Sequence, residues 1–151
     1  MKKVPTKNYF ILFGIVLATV IVTIALGNFY ANRNRETSVL YNFLPKVTLE
    51  DLDTYLSESD TVAIYIDDKH NLDDNVKQEE LKNKIIELNL SNNFVFLDSN
   101  NIDESFKEEF QKKYNYNLTD DYPTIIVINN KRVIDSYNEL NVDKIKFEEF
   151  E

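Results

Sequence analysis

The chain has 151 residues, 43% of them hydrophobic, and a formal net charge of −9. This length accommodates one packed domain and a short appendage. The absence of cysteine excludes disulfides, thiol catalysis and thiolate metal sites. The only two glycines, Gly14 and Gly27, lie in one apolar segment, which excludes a glycine-rich phosphate loop.

The negative charge is concentrated beyond the N-terminal residues. Lys2, Lys3 and Lys7 precede the apolar segment, which leaves 14 of the 17 basic side chains against all 26 acidic ones in the remainder. A surface this acidic repels phosphate backbones, so we expect no nucleic-acid partner.

The apolar segment at residues 9–29 carries no charged side chain. Its length matches the roughly 20 residues with which a helix crosses the hydrocarbon layer. We therefore predict a single transmembrane helix. Because three lysines precede it, residues 1–8 are predicted to lie in the cytoplasm and the C-terminal domain on the outer side of the cell membrane. The alternative is a cleaved signal peptide and a secreted protein, since Ala25-Leu26-Gly27 has the small-x-small spacing of a cleavage site.

Residues 30–46 are interpreted as a linker that ends near Pro45. Within it, Val39–Leu44 is either an opening strand or an extended approach to the domain. A helix is predicted to begin at Thr48, because Asp51 follows three residues later, as in a capping box.

Buried strands alternate with amphipathic helices in the next part of the chain. Thr61–Ile66 is apolar at nearly every position, as central parallel strands are. A charged loop, Asp67–Asn71, leads into a helix at 72–88, followed by a strand at 94–97 and a helix from Asp103 to Tyr114. Asn101 or Asp103 would cap the last of these helices. The apolar face predicted for the helix at 72–88 consists of Leu72, Val76, Leu81, Ile85 and Leu88.

A hairpin is predicted at 122–137, with the sequence YPTIIVINNKRVIDSY. Ile125–Ile128 is a β-branched apolar run, and Asn129-Asn130 is a two-residue turn signal because asparagine tolerates positive φ. Pro123 directly precedes the buried strand, which indicates a fixed bend, of which a cis peptide bond is one form. A short closing helix is predicted at 141–151.

These elements predict an α/β fold over residues 47–151. A strand–helix–strand unit requires a parallel pair of strands joined by a crossover helix. The hairpin adds antiparallel strands, so the sheet is mixed and flanked by helices.

This element order, with Tyr122-Pro123-Thr124 before the hairpin, resembles the thioredoxin-like fold family. The resemblance covers roughly residues 47–151 and implies a cis proline at position 123. The anchored form looks most like the bacterial membrane-tethered thioredoxin-like proteins, including those called bacteriocin transport accessory proteins.

The sequence departs from that family where the family has its Cys-x-x-C motif. His70-Asn71-Leu72-Asp73 occupies this position, and neither His70 nor Asp73 can supply the thiolate or the resolving sulfur that disulfide exchange needs. We therefore predict a redox-inactive domain that is not an enzyme and holds no cofactor or metal.

The binding surface of the family is the part of the resemblance that applies to this chain. Family members bind extended peptides through the backbone of the residue before the cis proline, here Tyr122. The resemblance therefore implies a peptide-binding site, and the partner would be a protein or extended peptide at the membrane surface, with a role accessory to transport or secretion. The candidate residues are Tyr122, Pro123, Thr124, His70, Asn71 and Asp73.

Two alternatives belong to other functional classes. The first is a non-thiol enzyme in which His70 works with Asp67, Asp68 or Asp73. The second is a structural subunit of a membrane complex, in which Gly14 and Ala18 provide a small-xxx-small helix contact. A lone histidine in an acidic loop is more often a solvated side chain than a catalytic one.

Overall fold

The computed structural model describes residues 6–33 and 37–150. The chain divides into two compact units, Met1–Glu36 and Thr37–Glu151. Residues 1–5 of the predicted cytoplasmic segment lie outside the described residues.

The first unit contains one helix, α1 (Thr6–Arg33). Its apolar side chains from Ile11 to Leu26 are exposed wherever they are described. Within the described residues, no helix combines the length and the apolar character that crossing a membrane requires. The span predicted at 9–29 also includes Phe10, Leu12, Asn28 and Phe29, whose side chains lie outside the described residues, so the anchor stays a prediction.

The second unit opens with a short helix, α2 (Val39–Phe43), where an extended segment was predicted. Ser38 caps the helix, since its Oγ accepts a hydrogen bond from the Tyr41 N–H at 3.3 Å. Leu40 and Leu44 are buried, so the apolar residues of this segment follow a helical spacing and not a strand's.

The capping box predicted at Thr48 is confirmed at the start of α3 (Leu49–Glu58). The Asp51 N–H donates to Thr48 Oγ1 at 3.4 Å, and the Thr48 N–H donates to Asp51 Oδ2 at 2.9 Å. Two otherwise unpaired backbone donors are thereby satisfied.

Four strands form one mixed sheet in the order β2-β1-β3-β4. Their bounds are β1 (Thr61–Asp67), β2 (Phe94–Asp98), β3 (Thr124–Asn129) and β4 (Arg132–Tyr137). β1 runs parallel to β2 and antiparallel to β3, and β3 runs antiparallel to β4. The predicted mixed sheet is confirmed, and β1 and β2 each end one residue later than predicted.

Both faces of the sheet are covered, which explains the continuous apolar runs of β1, β2 and β3. One face carries Ala63, Tyr65, Phe94, Phe96, Ile125 and Val127 and packs against α2 and α4 through Leu40, Leu81 and Ile85. The other face carries Val62, Ile64, Val95, Leu97, Ile126 and Ile128 and packs against α3 and α5 through Leu52 and Phe110.

The two longest helices of the second unit are α4 (Asn75–Glu87) and α5 (Glu104–Tyr114). Asp103 caps α5, and the Phe106 N–H donates to its Oδ1 at 2.8 Å. α4 begins three residues later than predicted, because the preceding residues form a hydrogen-bonded loop. The predicted closing helix is instead two 3₁₀ turns, Val142–Lys144 and Phe147–Phe150. Ile145, between the two turns, and Phe150, at the end of the second, are buried.

The hairpin turn lies one residue later than predicted. Asn130 and Lys131 have φ values of 48° and 61°, as both central residues of a type I′ turn require. An irregularity in register at Val127 and Ile128 displaces β4, so that Val133 pairs with Ile128 and Asp135 pairs with Val127. Ile134, between them, is 48% exposed.

Candidate functional site

The predicted site residues come together at one end of the sheet. The Tyr122–Pro123 bond is cis, as the resemblance implied. Ile66 pairs with Thr124, so the chain leaves β1 after Asp67 at the same end where it enters β3 through Pro123. We call this region, formed by Asp67–Asp74 and Asp120–Thr124, the site end.

Tyr122 lies at the site end with its side chain packed against the core. Its ring packs against the core face that contains Phe110, and its hydroxyl is buried without a hydrogen-bond partner among the described residues. Burial, and next the charge of Asp120, raises the pKa of this hydroxyl. In the described part of the chain, neither the N–H nor the C=O of Tyr122 makes a hydrogen bond.

Thr124 and Pro123 shape this backbone. Thr124 is buried, and its hydroxyl donates to the carbonyl oxygen of Asp121, which closes a turn around residues 122 and 123. Pro123 is half-buried. Thr124 therefore acts on the site through the position of Tyr122 and offers no group of its own to a ligand.

Asp67, which the sequence indicated only as a possible partner of His70 in a non-thiol enzyme, is the centre of a buried hydrogen-bond network. It is 2% exposed, and its Oδ2 accepts from the Tyr65 hydroxyl at 2.9 Å. Asn71 Nδ2 donates to both carboxylate oxygens at 3.1 Å, and the Asp68 N–H donates to Oδ1 at 2.8 Å. Burial raises the pKa of this carboxyl, and these hydrogen bonds oppose the rise. A signal was present, since an acid directly follows a fully apolar strand.

The three loop residues predicted for the site have different roles. Asn71 ties the loop to Asp67, and its Oδ1 accepts from the Asp73 N–H at 3.1 Å. His70 is half-buried, and its N–H donates to Asp68 Oδ1 at 2.8 Å. Asp73 is exposed. All three precede α4, so none lies within a helical first turn.

A second acid, Asp98, lies beside this network at the end of β2, where it pairs in register with Asp67. Burial by itself would raise the pKa of Asp98, but hydrogen bonds from Asn100 and the ion pair with Lys69 at 3.2 Å hold it below its usual value. The Lys69 carbonyl also accepts from the Ser38 N–H at 2.8 Å, which connects the loop to α2.

The apolar face predicted for α4 is only partly buried. Leu81 and Ile85 are buried, whereas Leu72 is 36% and Val76 75% exposed. Gln78 takes a buried position instead, where its Oε1 accepts from the Leu40 N–H at 3.1 Å. Leu72 in the loop before α4 and Val76 in the first turn of α4 are therefore both exposed, although helical periodicity alone assigns them to the core.

Among the described residues, no three His, Asp or Glu side chains are grouped as metal ligands would be. No protein-family profile and no curated protein matches the sequence.

The solved structures that are similar to this chain include the following two. A candidate oxidoreductase with a thioredoxin fold is 11% identical, with a TM-score of 0.53 over 69% of this chain and 91% of that one. The zinc-bound form of human ERp44 is 16% identical, with a TM-score of 0.41 over 66% of this chain and 29% of that one. The first likeness agrees with the strand order and with the cis proline before β3: the domain adopts a thioredoxin-like fold.

Proposed function

We propose that this domain binds an extended polypeptide segment at the site end and performs no thiol–disulfide chemistry. The observation that carries the proposal is the unpaired backbone of Tyr122 at the edge of a loop that Asp67 and Asn71 hold in place. A backbone N–H and C=O with no partner among the described residues can pair with the backbone of a ligand, as in strand addition.

Apolar contacts would add to this backbone recognition. Leu72 lies in the loop of the site end, and Val76 lies in the first turn of α4, directly after that loop. Exposed apolar side chains gain about 25 cal/mol for each Å² that a ligand covers. A ligand with apolar side chains would therefore be preferred over a wholly polar one.

The absence of thiol chemistry follows from the residues at the motif position. His70, Asn71 and Asp73 stand where the family has its cysteine motif, and the sequence contains no cysteine elsewhere. A bound segment would therefore be held without a covalent intermediate.

The proposal includes a tether to the bilayer through residues 9–29, with the domain on the outer side and a role accessory to transport or secretion. Its support is the absence of charge in this segment and the exposure of its described apolar side chains. Alkaline carbonate extraction of cell membranes tests it. The tether predicts that the chain stays with the lipid pellet, and release into the supernatant would contradict it.

Peptide binding is tested with the full chain in detergent micelles and a display library of random octapeptides. We expect enrichment of octapeptides by the native chain and loss of that enrichment with Val76→Asp. Ile86→Asp is the matched control, because Ile86 is 54% exposed on the same helix but lies at its far end.

Each variant's free energy of unfolding is measured by urea titration, and both are expected to stay within about 0.5 kcal/mol of the native chain. Equal loss of enrichment in the two variants, or enrichment that neither affects, would contradict the proposed site.

A further inference from the structure

The site end carries more acid than its basic side chains neutralise. Its acidic residues are Asp67, Asp68, Asp73, Asp74, Asp120 and Asp121. Its only lysine is Lys69, and Lys77 on α4 and Lys107 on α5 reach it through ion pairs.

Each of these lysines already has an acidic partner. Lys69 pairs with Asp98 at 3.2 Å, and Lys77 pairs with Asp74 at 3.3 Å. Lys107 pairs with both Glu104 and Asp120 at 2.9 Å, and its pKa is raised by Glu104 first and then by Asp120. Among the described residues of the loop, α4 and α5, every lysine has an acidic partner, so no lysine remains to neutralise the other acids.

Two exposed carboxylates have no partner among the described residues. The side chains of Asp73 and Asp121 make no hydrogen bond or ion pair with any described residue. Asp73 lies in the loop before α4, and Asp121 directly precedes Tyr122. One free negative charge therefore lies on each of the two chain segments that form the site end.

We infer that the polypeptide segment bound at this end is positively charged, with Lys or Arg side chains that pair with Asp73 and Asp121. This inference rests on the proposed function and specifies its partner. The backbone of Tyr122 would hold the segment, Leu72 and Val76 would contact its apolar side chains, and the two carboxylates would select its charge. An acidic segment would meet two uncompensated like charges and be rejected.

The test selects random octapeptides on the full chain at low salt and compares their Lys and Arg content. The native chain should enrich basic peptides. A recovered Lys-containing peptide should bind the double variant Asp73→Lys/Asp121→Lys about tenfold more weakly, because two exposed ion pairs are lost and replaced by repulsion. Added salt should reduce this difference, since both carboxylates are exposed.

The matched control is Glu58→Lys/Asp60→Lys. These two acids are also exposed and make no ion pair among the described residues, but they precede β1 at the opposite end of the sheet. The control carries the same change in net charge, so it should keep the native preference for basic peptides. Equal weakening in both double variants would show a long-range effect of net charge and overturn the inference.

Asp73 also lies near the N-terminus of α4, where an acid stabilises a helix. A purely structural role predicts that Asp73→Lys lowers the free energy of unfolding and leaves the charge of the selected peptides unchanged, which would also overturn the inference. Enrichment that depends on Val76 but shows no basic preference would overturn it while the proposed function stands. No enrichment at all would overturn both.

Discussion

The two ends of the central sheet differ in how completely their polar groups are paired. At the end formed by Glu58–Thr61 and Asn129–Arg132, here the hairpin end, Asn129 Nδ2 donates to Thr61 Oγ1 at 2.7 Å. The Asn130 N–H donates to the Asp60 carbonyl oxygen at 3.2 Å. At the site end, the backbone of Tyr122 has no partner among the described residues.

The two ends also differ in how far their acidic and basic side chains balance. The hairpin end carries two acids, Glu58 and Asp60, against two bases, Lys131 and Arg132. At the site end, Asp73 and Asp121 have no partner among the described residues, whereas Lys69, Lys77 and Lys107, which lie in or reach this end, are all paired. The polar groups cited at the hairpin end are thus paired within the domain, whereas the backbone of Tyr122 at the site end has no partner among the described residues. The proposed peptide-binding site requires such unpaired groups.

The largest expected effect on stability comes from the hydrogen-bond network of Asp67 at the site end. Asp67→Ala leaves the buried Tyr65 hydroxyl and the Asn71 amide without their acceptor. We expect a loss of about 2–3 kcal/mol in the free energy of unfolding, since each unsatisfied buried group costs about 1–3 kcal/mol. Urea titration measures it.

The control for this change adds Tyr65→Phe, which removes the stranded hydroxyl and should recover part of the loss. A loss below about 0.5 kcal/mol for Asp67→Ala would mean that the network does not support the site end.

A smaller, pH-dependent effect separates charge from hydrogen bonding at Asp67. Burial raises the pKa of this carboxyl in the folded chain, so its contribution to stability is greatest when it is protonated. That contribution is lost as the pH rises from the unfolded value, about 4, through the folded value. Asp67→Asn keeps an acceptor for Tyr65 and has no proton to lose.

The stability of Asp67→Asn relative to the native chain should therefore increase as the pH rises from about 3 to 6. Urea titration across this range measures the difference, in which groups common to both chains cancel. If the stability of Asp67→Asn relative to the native chain falls with rising pH, the pKa of Asp67 is not raised by burial.

The smallest effect is expected at the hairpin end. Lys131 has a φ of 61°, which a non-glycine residue adopts at a cost of roughly 1 kcal/mol. Lys131→Gly should therefore raise the free energy of unfolding by about 0.5–1 kcal/mol and leave peptide selection unchanged. Arg132→Gly, in the adjoining strand, is the control and should lower it instead. Loss of peptide enrichment in Lys131→Gly would break the distinction between the two ends.

The sequence predicted the parts of the fold that depend on local signals. The continuous apolar runs of β1, β2 and β3 predicted buried strands, and the Thr48–Asp51 spacing predicted the start of α3. Elements whose position depends on tertiary contacts were missed. The buried bond between Gln78 and Leu40 joins α2 to α4, and no local pattern indicates that a polar residue replaces Val76 in the core.

The features of the candidate site also divide into those that the sequence predicted and those that depend on tertiary contacts. Element order and the proline before β3 placed the loop at 70–73 beside Tyr122 at one end of the sheet. The inward direction of the Tyr122 ring, the network of Asp67 and the two unpaired carboxylates follow from packing and from which lysine pairs with which acid. Apart from the acid that directly follows the apolar run of β1, the sequence holds no local signal for these contacts.

Amide hydrogen exchange of Tyr122 in the full chain, with and without a peptide recovered by display, tests the central claim most directly. The account predicts that the peptide slows exchange of the Tyr122 amide and leaves that of Lys131 unchanged, because the ligand pairs with backbone at the site end alone. Slowed exchange at Lys131 with none at Tyr122 would contradict it.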